Sequence, residues 1–133
     1  MYLLDSNACI RILNGTSPAL QRRLRSCSPN EVSLCSVVKA ELYFGARKSE
    51  RQAENLRLVE RFSLVFPSFG FDDRCAEIYG SIRSELERSG APIGPNDLLI
   101  AATAIANELV LVTHNTREFE RVVGLHLEDW ETE

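Results

Sequence analysis

The chain reads as an α/β domain built on a mostly parallel sheet, and three observations predict this. Short strand-like runs, Tyr2 to Leu4, Glu31 to Cys35, Leu64 to Phe66 and Leu109 to Val112, alternate with longer stretches of helical periodicity. The last of these runs is apolar at every position, as in a strand covered on both faces by helices. The stretch from Gly90 to Phe119 then places a Gly- and Pro-rich turn, a helix opening on Asp97, that buried strand and a polar loop in direct succession.

Taken in order, Tyr2 to Leu4 is a strand that stops on Asp5, with Ser6 or Asn7 expected to cap the helix behind it. That helix should cover Ala8 to Leu13 and end at Asn14 and Gly15. Ser17 and Pro18 form a cap followed by a first-turn proline, opening a second helix through Leu20 and Leu24. Glu31 to Cys35 is the second strand, and Ser36 is expected to cap a helix over Val37 to Ala46. On that helix Val38, Glu41, Leu42 and Gly45 share one face, so Glu41 is an acid among apolar neighbours.

A charged amphipathic helix follows from Ser49 or Glu50 to Phe62, then a third strand over Leu64 to Phe66, before Pro67. Asp72 or Asp73 caps a long helix that runs to Arg88 and is closed by Gly90; the helix dipole accounts for that acid pair. Pro95 at a first helical position leaves Asp97 in the first turn of the next helix, which leads to the fourth strand and the loop Thr113 to Phe119.

At 133 residues the chain is expected to form a single domain, residues 1–133, large enough to bury roughly two-thirds of its unfolded surface. Its longest apolar stretch, Leu98 to Ala106, falls far short of the roughly 20 residues a membrane span requires. The N-terminus reaches Asp5 with no basic lead-in, so no secretory signal is expected and a cytoplasmic location is. Cys9, Cys27, Cys35 and Cys75 show no C-x-x-C spacing and have only two histidines to join them. They are therefore read as reduced, mostly buried small hydrophobes rather than zinc ligands or disulfides.

The formal charge of −4 conceals an asymmetry. Glu128, Asp129, Glu131 and Glu133 carry the whole acidic excess, whereas Arg11 to Arg61 holds ten basic residues against five acids. A positive half of that size can meet phosphates, although solvated helix faces also produce such runs.

Four acids fall at equivalent places: Asp5 after the first strand, Glu41 in the helix after the second, Asp97 opening the helix before the fourth, and Glu118 beyond the fourth. If the first and fourth strands are neighbours at the sheet centre, these acids meet in the crevice beyond the strands' carboxyl ends. Clustered carboxylates repel one another unless a cation sits among them. An all-oxygen donor set favours Mg²⁺ or Mn²⁺ over Zn²⁺, and Mg²⁺ held this way points to phosphodiester chemistry.

Four segments, MYLLDSNACI, SVVKAELYFGARKS, GAPIGPNDLLIAATA and LVTHNTREFERV with the following GLHLEDW, resemble the PIN-domain ribonucleases and, within them, the VapC toxins of toxin–antitoxin pairs. The resemblance covers essentially the full length. It implies a three-layer PIN-like fold and a cytoplasmic endoribonuclease that hydrolyses RNA with Mg²⁺ or Mn²⁺ and leaves 5′-phosphate and 3′-hydroxyl ends. Asp5, Glu41 and Asp97 match the family's metal-binding acids. Asn115 stands where many members carry a fourth acid, and Glu118 is a nearby acid that can substitute in part. Thr113 and Asn115 are expected to orient ligands or water. Asn7, Thr113, Arg11 and Arg47 are the candidates for substrate binding, with Arg22, Arg23 and Lys48 as further candidates for RNA backbone contact; each basic residue also reads as solvated surface. His114, a lone histidine in a polar loop, is more simply structural than a base. The implied partners are RNA, a VapB-type antitoxin lying across the catalytic groove, and a second copy of the chain; no membrane partner is expected.

Two readings from other classes compete. A phosphoacceptor signalling domain would pair acids after its first strand and carry a lysine after a late one, but Asp5 stands alone and no lysine follows Lys48. A non-catalytic PIN-like RNA-binding module would keep the fold without turnover, and the amide at Asn115 leaves room for it.

Overall fold

The computed structural model describes residues 1–132; Glu133, one of the acids of the C-terminal segment, lies outside them. Five strands form the sheet: β1 (Tyr2–Leu4), β2 (Val32–Cys35), β3 (Ser68–Phe69), β4 (Val110–Val112) and β5 (His126–Glu128). Their order is β3-β2-β1-β4-β5, and all four pairings are parallel. Parallel neighbours need long crossovers, so each connection carries helix. The helices are α1 (Ser6–Asn14), α2 (Pro18–Arg25), α3 (Ser36–Lys48), α4 (Gln52–Val65), α5 (Asp73–Arg88), α6 (Pro95–Ala106) and the short α7 (Thr116–Phe119).

The chain winds outward from β1 through β2 to β3, then returns to the other side of β1 with β4 and β5. β1 and β4 are therefore neighbours at the sheet centre, as the sequence requires for its acids to meet, and the reversal opens a crevice at their carboxyl ends. Leu3, Leu4, Leu34, Leu111 and Val112 are fully enclosed in the sheet, with Val38, Ile100 and Phe119 packed among them. α6 is buried around most of its circumference, including Leu98, Ile100, Ala101, Ala102, Thr103 and Ala104. Its alanines permit close approach on several sides, and Thr103 satisfies its hydroxyl by donating to the Leu99 carbonyl at 2.9 Å. A helix enclosed in this way holds its N-terminal turn, and hence Asp97, firmly against the sheet.

Several local expectations are corrected. The third strand lies after Pro67, at Ser68–Phe69, and α4 continues through Leu64 and Val65. Leu64 and Val65 are 85% and 54% exposed, so this apolar pair is not strand core, and the helix stops only at Phe66, whose φ of −114° and ψ of 148° suit a residue before proline. The final strand β5 has no counterpart among the expected strands, and Thr116–Phe119 is a helical turn rather than loop. Ser36 is the first residue of α3 instead of its cap; Cys35 occupies the cap position without a side-chain hydrogen bond. α4 begins at Gln52, because Ser49 is extended and closes α3.

Candidate active site

Asp5 leaves β1 and becomes the cap of α1 itself, displacing Ser6 and Asn7 from the capping role expected of them. Its Oδ1 accepts from the Ala8 backbone N–H at 2.8 Å. Its side chain also meets the buried Thr113 hydroxyl at the end of β4. Asp5 is only 5% exposed. Burial raises its pKa, while the Thr113 and Ala8 hydrogen bonds and the charge of Arg11 oppose the rise and Glu131 adds to it.

Ser6, released from capping, donates its hydroxyl to Glu41 Oε1 at 2.6 Å. That contact ties the half-buried Glu41 of α3 to the start of α1, across 35 residues of sequence. Asp97 stands in the first turn of α6, two residues after Pro95. Its pKa is raised to about 7, first by burial and then by the charge of Glu118 and a hydrogen bond with it, with smaller contributions from Asp5 and Glu41. Asp5, Glu41, Asp97 and Glu118 thus share one electrostatic site.

Glu118, on α7, accepts from the Gly94 backbone N–H at 2.9 Å and from the Asn115 side-chain amide at 3.0 Å. These donors favour its ionised form and lower its pKa. Asp97 and Glu118 share a hydrogen bond, in which the better-solvated Glu118, held by the Gly94 and Asn115 donors, is pushed down and the more enclosed Asp97 is pushed up. Asn115 therefore serves as a donor to an acid rather than as a fourth acid, and its own backbone N–H donates to Thr113 Oγ1 at 3.0 Å. At Gly94 a β-carbon would lie 3.7 Å from Glu118 Oε1 and 3.9 Å from Asp97 Oδ2, so the turn before α6 closes directly on both carboxylates.

Asn7 is exposed and lines a cleft with Ser6, Glu41, Phe44, Asn96 and Leu99, at the margin of the acids. Arg11 is engaged elsewhere, donating to Glu131 at 3.0 Å. Arg47 is exposed in the last turn of α3, where the helix dipole accounts for a cation, and Lys48 lies 5.7 Å from the centre of the Phe44 ring. His114 points away from the acids' network to Asp129, with Nδ1 2.9 Å from Oδ2. His114, Asp129 and Glu131 bring ligand atoms within 4.8 Å of one another, but the Arg11 guanidinium already supplies a cation to Glu131 there.

The donor set of Asp5, Glu41, Asp97 and Glu118 is carboxylate oxygen only, which suits a hard divalent cation. Burial raises the pKa of Asp97 first, and the charges of Glu118, Asp5 and Glu41 add to it; a cation placed among these carboxylates would offset that second contribution. Ser6 and the Gly94 N–H are the members of the site that the sequence does not single out for these roles. Ser6 is marked there only by its position after Asp5, and Gly94 only as a turn residue.

A family model described as PIN domain matches residues 2–125. The chain is 40% identical to the tRNA(fMet)-specific endonuclease VapC of Shigella flexneri over 129 residues, 97% of each chain. It is 37% identical to Ribonuclease VapC2 of Rickettsia felis over 132 residues, 98% of each. Among solved structures it is similar to VapBC2 from Rickettsia felis bound to a DNA fragment from the promoter, with a TM-score of 0.91, 37% identity, and coverage of 97% of this chain and 98% of the other.

Proposed function

Because the chain belongs to the PIN-domain family and, within it, to the VapC ribonucleases, we propose that residues 1–133 form one catalytic domain in which Asp5, Glu41 and Asp97 hold Mg²⁺ or Mn²⁺ for hydrolysis of RNA phosphodiester bonds. The observation that carries this reading is the placement of the acids at the sheet's topological switch point: Asp5 at the end of β1, Glu41 tied to the same helix start by Ser6, and Asp97 beside Glu118 where Gly94 closes on both. When bound, the divalent cation supplies charge stabilisation to the phosphoryl oxygens and lowers the pKa of water.

The chain's own residues prepare the reaction. Thr113 and the Ala8 N–H hold Asp5 in one orientation, and the Ser6 hydroxyl does the same for Glu41. Asp97 in its ionised form would complete the ligand set with Asp5 and Glu41. Glu118, with a depressed pKa, is a poor proton acceptor. Its role is to orient water and to tension Asp97, with Asn115 and Gly94 fixing its position. In hydrolysis the water oxygen joins phosphorus and its proton passes to solvent, while the bond from phosphorus to the 3′-oxygen breaks and that oxygen takes a proton from solvent. The products then carry 5′-phosphate and 3′-hydroxyl ends; a 2′,3′-cyclic phosphate would contradict this chemistry.

Two features bear on partners. The cleft margin that holds Asn7 and Glu41 continues as an apolar groove with Ile10, Leu13, Leu42 and Leu58, and Phe44 stands 66% exposed beside it. An amphipathic antitoxin segment could fill this groove and set a basic side chain against the acids, the arrangement we assign to a VapB-type partner. Transfer RNA is the substrate class to test first, since the Shigella flexneri relative is named for tRNA(fMet). Among the described residues no helix is long and apolar enough to cross a membrane. The four cysteines are free, which supports a reducing compartment such as the cytoplasm.

The test is cleavage of total RNA by antitoxin-free protein with Mg²⁺ or Mn²⁺, against chelator and against Asp5→Asn and Asp97→Asn. Discrete tRNA fragments that need metal and vanish in both variants are expected. Absence of cleavage by folded, metal-loaded wild type would overturn the reading.

A further inference from the structure

Beside the acids, a second constellation runs along the edge formed by α1, α2 and the segment after β5. Two ion pairs and a histidine–carboxylate hydrogen bond line it: Arg11 with Glu131 at 3.0 Å, Arg23 with Glu128 at 3.1 Å, and His114 Nδ1 with Asp129 at 2.9 Å. A cleft of about 500 Å³ is lined by Arg11, Ser17, Arg22, His114 and Glu131. A neighbouring one of about 320 Å³ is lined by Arg22, Arg23, Ser26, Asp129 and Trp130. Arg22 and Ala19 belong to both, so the two are continuous. The first lies within electrostatic reach of Asp5, whose carboxylate feels the charges of its lining residues Arg11 and Glu131.

The acidic segment is built into this edge. Trp130 is 4% exposed, packs edge-on against Tyr2 at 5.0 Å between ring centres, and donates its indole N–H to Glu128 at 3.0 Å. The Arg23 guanidinium lies 5.2 Å from the same ring's centre. The carboxylates are therefore presented to the arginines by an anchored aromatic side chain.

We propose that this continuous cleft is a track for the RNA backbone leading away from the cleavage site, and that Glu128 and Glu131 occupy the places its phosphates take. The inference rests on the ribonuclease reading. A guanidinium fork that grips a carboxylate grips a phosphate with the same geometry. The Arg23–Glu128 pair is 48% and 37% exposed at its side chains, whereas the Arg11–Glu131 pair is 35% and 14% exposed. Solvent screens both arginine forks, and the open Arg23–Glu128 pair is the weaker of the two. A polyanion that also releases counterions displaces them readily. The acids then act as place-holders, screening the track from weak anions while yielding to a strand that presents several phosphates in register.

The test is fluorescence anisotropy of a labelled single-stranded RNA oligonucleotide, in an Asp97→Asn background so that binding is read without turnover. Arg22→Gln with Arg23→Gln is expected to weaken binding roughly tenfold and to make the log–log salt slope shallower by about 0.7 for each phosphate no longer neutralised. Glu131→Gln, which removes the competing charge and keeps the shape, is expected to tighten binding roughly three- to tenfold. The opposite signs separate this proposal from a structural clamp, in which both changes leave affinity alone or both weaken it; either result overturns it. Thermal melting of each variant excludes misfolding as the cause. A wild-type protein without metal-dependent cleavage refutes the nuclease reading separately, while anisotropy still judges the track.

Discussion

Asp97→Asn is predicted to make the metal-free protein more stable while abolishing cleavage. The carboxyl of Asp97 moves from an ordinary value of 3.8 to about 7 on folding. Between those values the folded state binds more protons than the unfolded state, so stability falls as pH rises, and the whole penalty is present above about pH 7. A shift of about three units corresponds to roughly 4 kcal/mol for a fully enclosed group. Asp97 is only half-buried, and solvent screening reduces this to on the order of 1–2 kcal/mol. Asparagine keeps the shape and can still donate to Glu118, so the substitution removes mainly the charge. In chelator at pH 8, differential scanning calorimetry should place Tm of the variant about 3–8 °C above wild type. At pH 5 the gap should shrink to about a third, since little of the ionisation penalty has accrued. Saturating Mn²⁺ should raise Tm of wild type and leave the variant nearly unmoved. Equal melting of the two proteins at pH 8 in chelator would refute the claim that the acids repel one another in the metal-free state.

The same proton governs metal uptake. Apparent Mn²⁺ affinity should fall about tenfold per pH unit below about pH 7, with close to one proton released per ion; calorimetry in buffers of different ionisation heat reads this, and a pH-independent affinity would exclude it. Ser6→Ala removes the 2.6 Å bond that aims Glu41 and should cost roughly 10- to 100-fold in Mn²⁺ affinity with little change in Tm, the signature of a positioning residue. Asn115→Asp replaces the donor to Glu118 with a second anion 3.0 Å away. It should destabilise the metal-free protein by about 1–3 kcal/mol at pH 8 and regain most of that stability in Mn²⁺, as denaturant melts in each condition can show.

The parts of this molecule that can be read from its residues are those in which local chemistry and long-range packing agree. Pro95 followed by Asp97 announces a helix start, and the apolar run into Val112 announces a buried strand; both lie where expected. Asp5, Glu41, Asp97 and Glu118 are legible as a set because each occupies a strand end or an apolar helix face, where an acid needs a reason. Leu64 to Phe66 misleads because three apolar residues suit either a strand or the exposed end of an amphipathic helix, and only the pairing of Leu34 and Cys35 with Ser68 and Phe69 decides. β5 is hidden because His126 and Glu128 are polar and its pairing with β4 supplies most of its character. The Ser6–Glu41 bond spans 35 residues, and no local pattern records a contact of that range.

The winding of the sheet has a consequence for the protein's birth on the ribosome. Asp5 is made about a hundred residues before the partner that steadies it, Thr113, and before Glu118, with β1 left unpaired on one side until β4 exists. A chain stopped at Asn107 would lack β4, the neighbour of β1 at the sheet centre, should fail to show a cooperative melt, and should leave RNA intact. The four acids therefore come together only after β4 and α7 are in place, which makes the site one of the last parts of the fold to assemble.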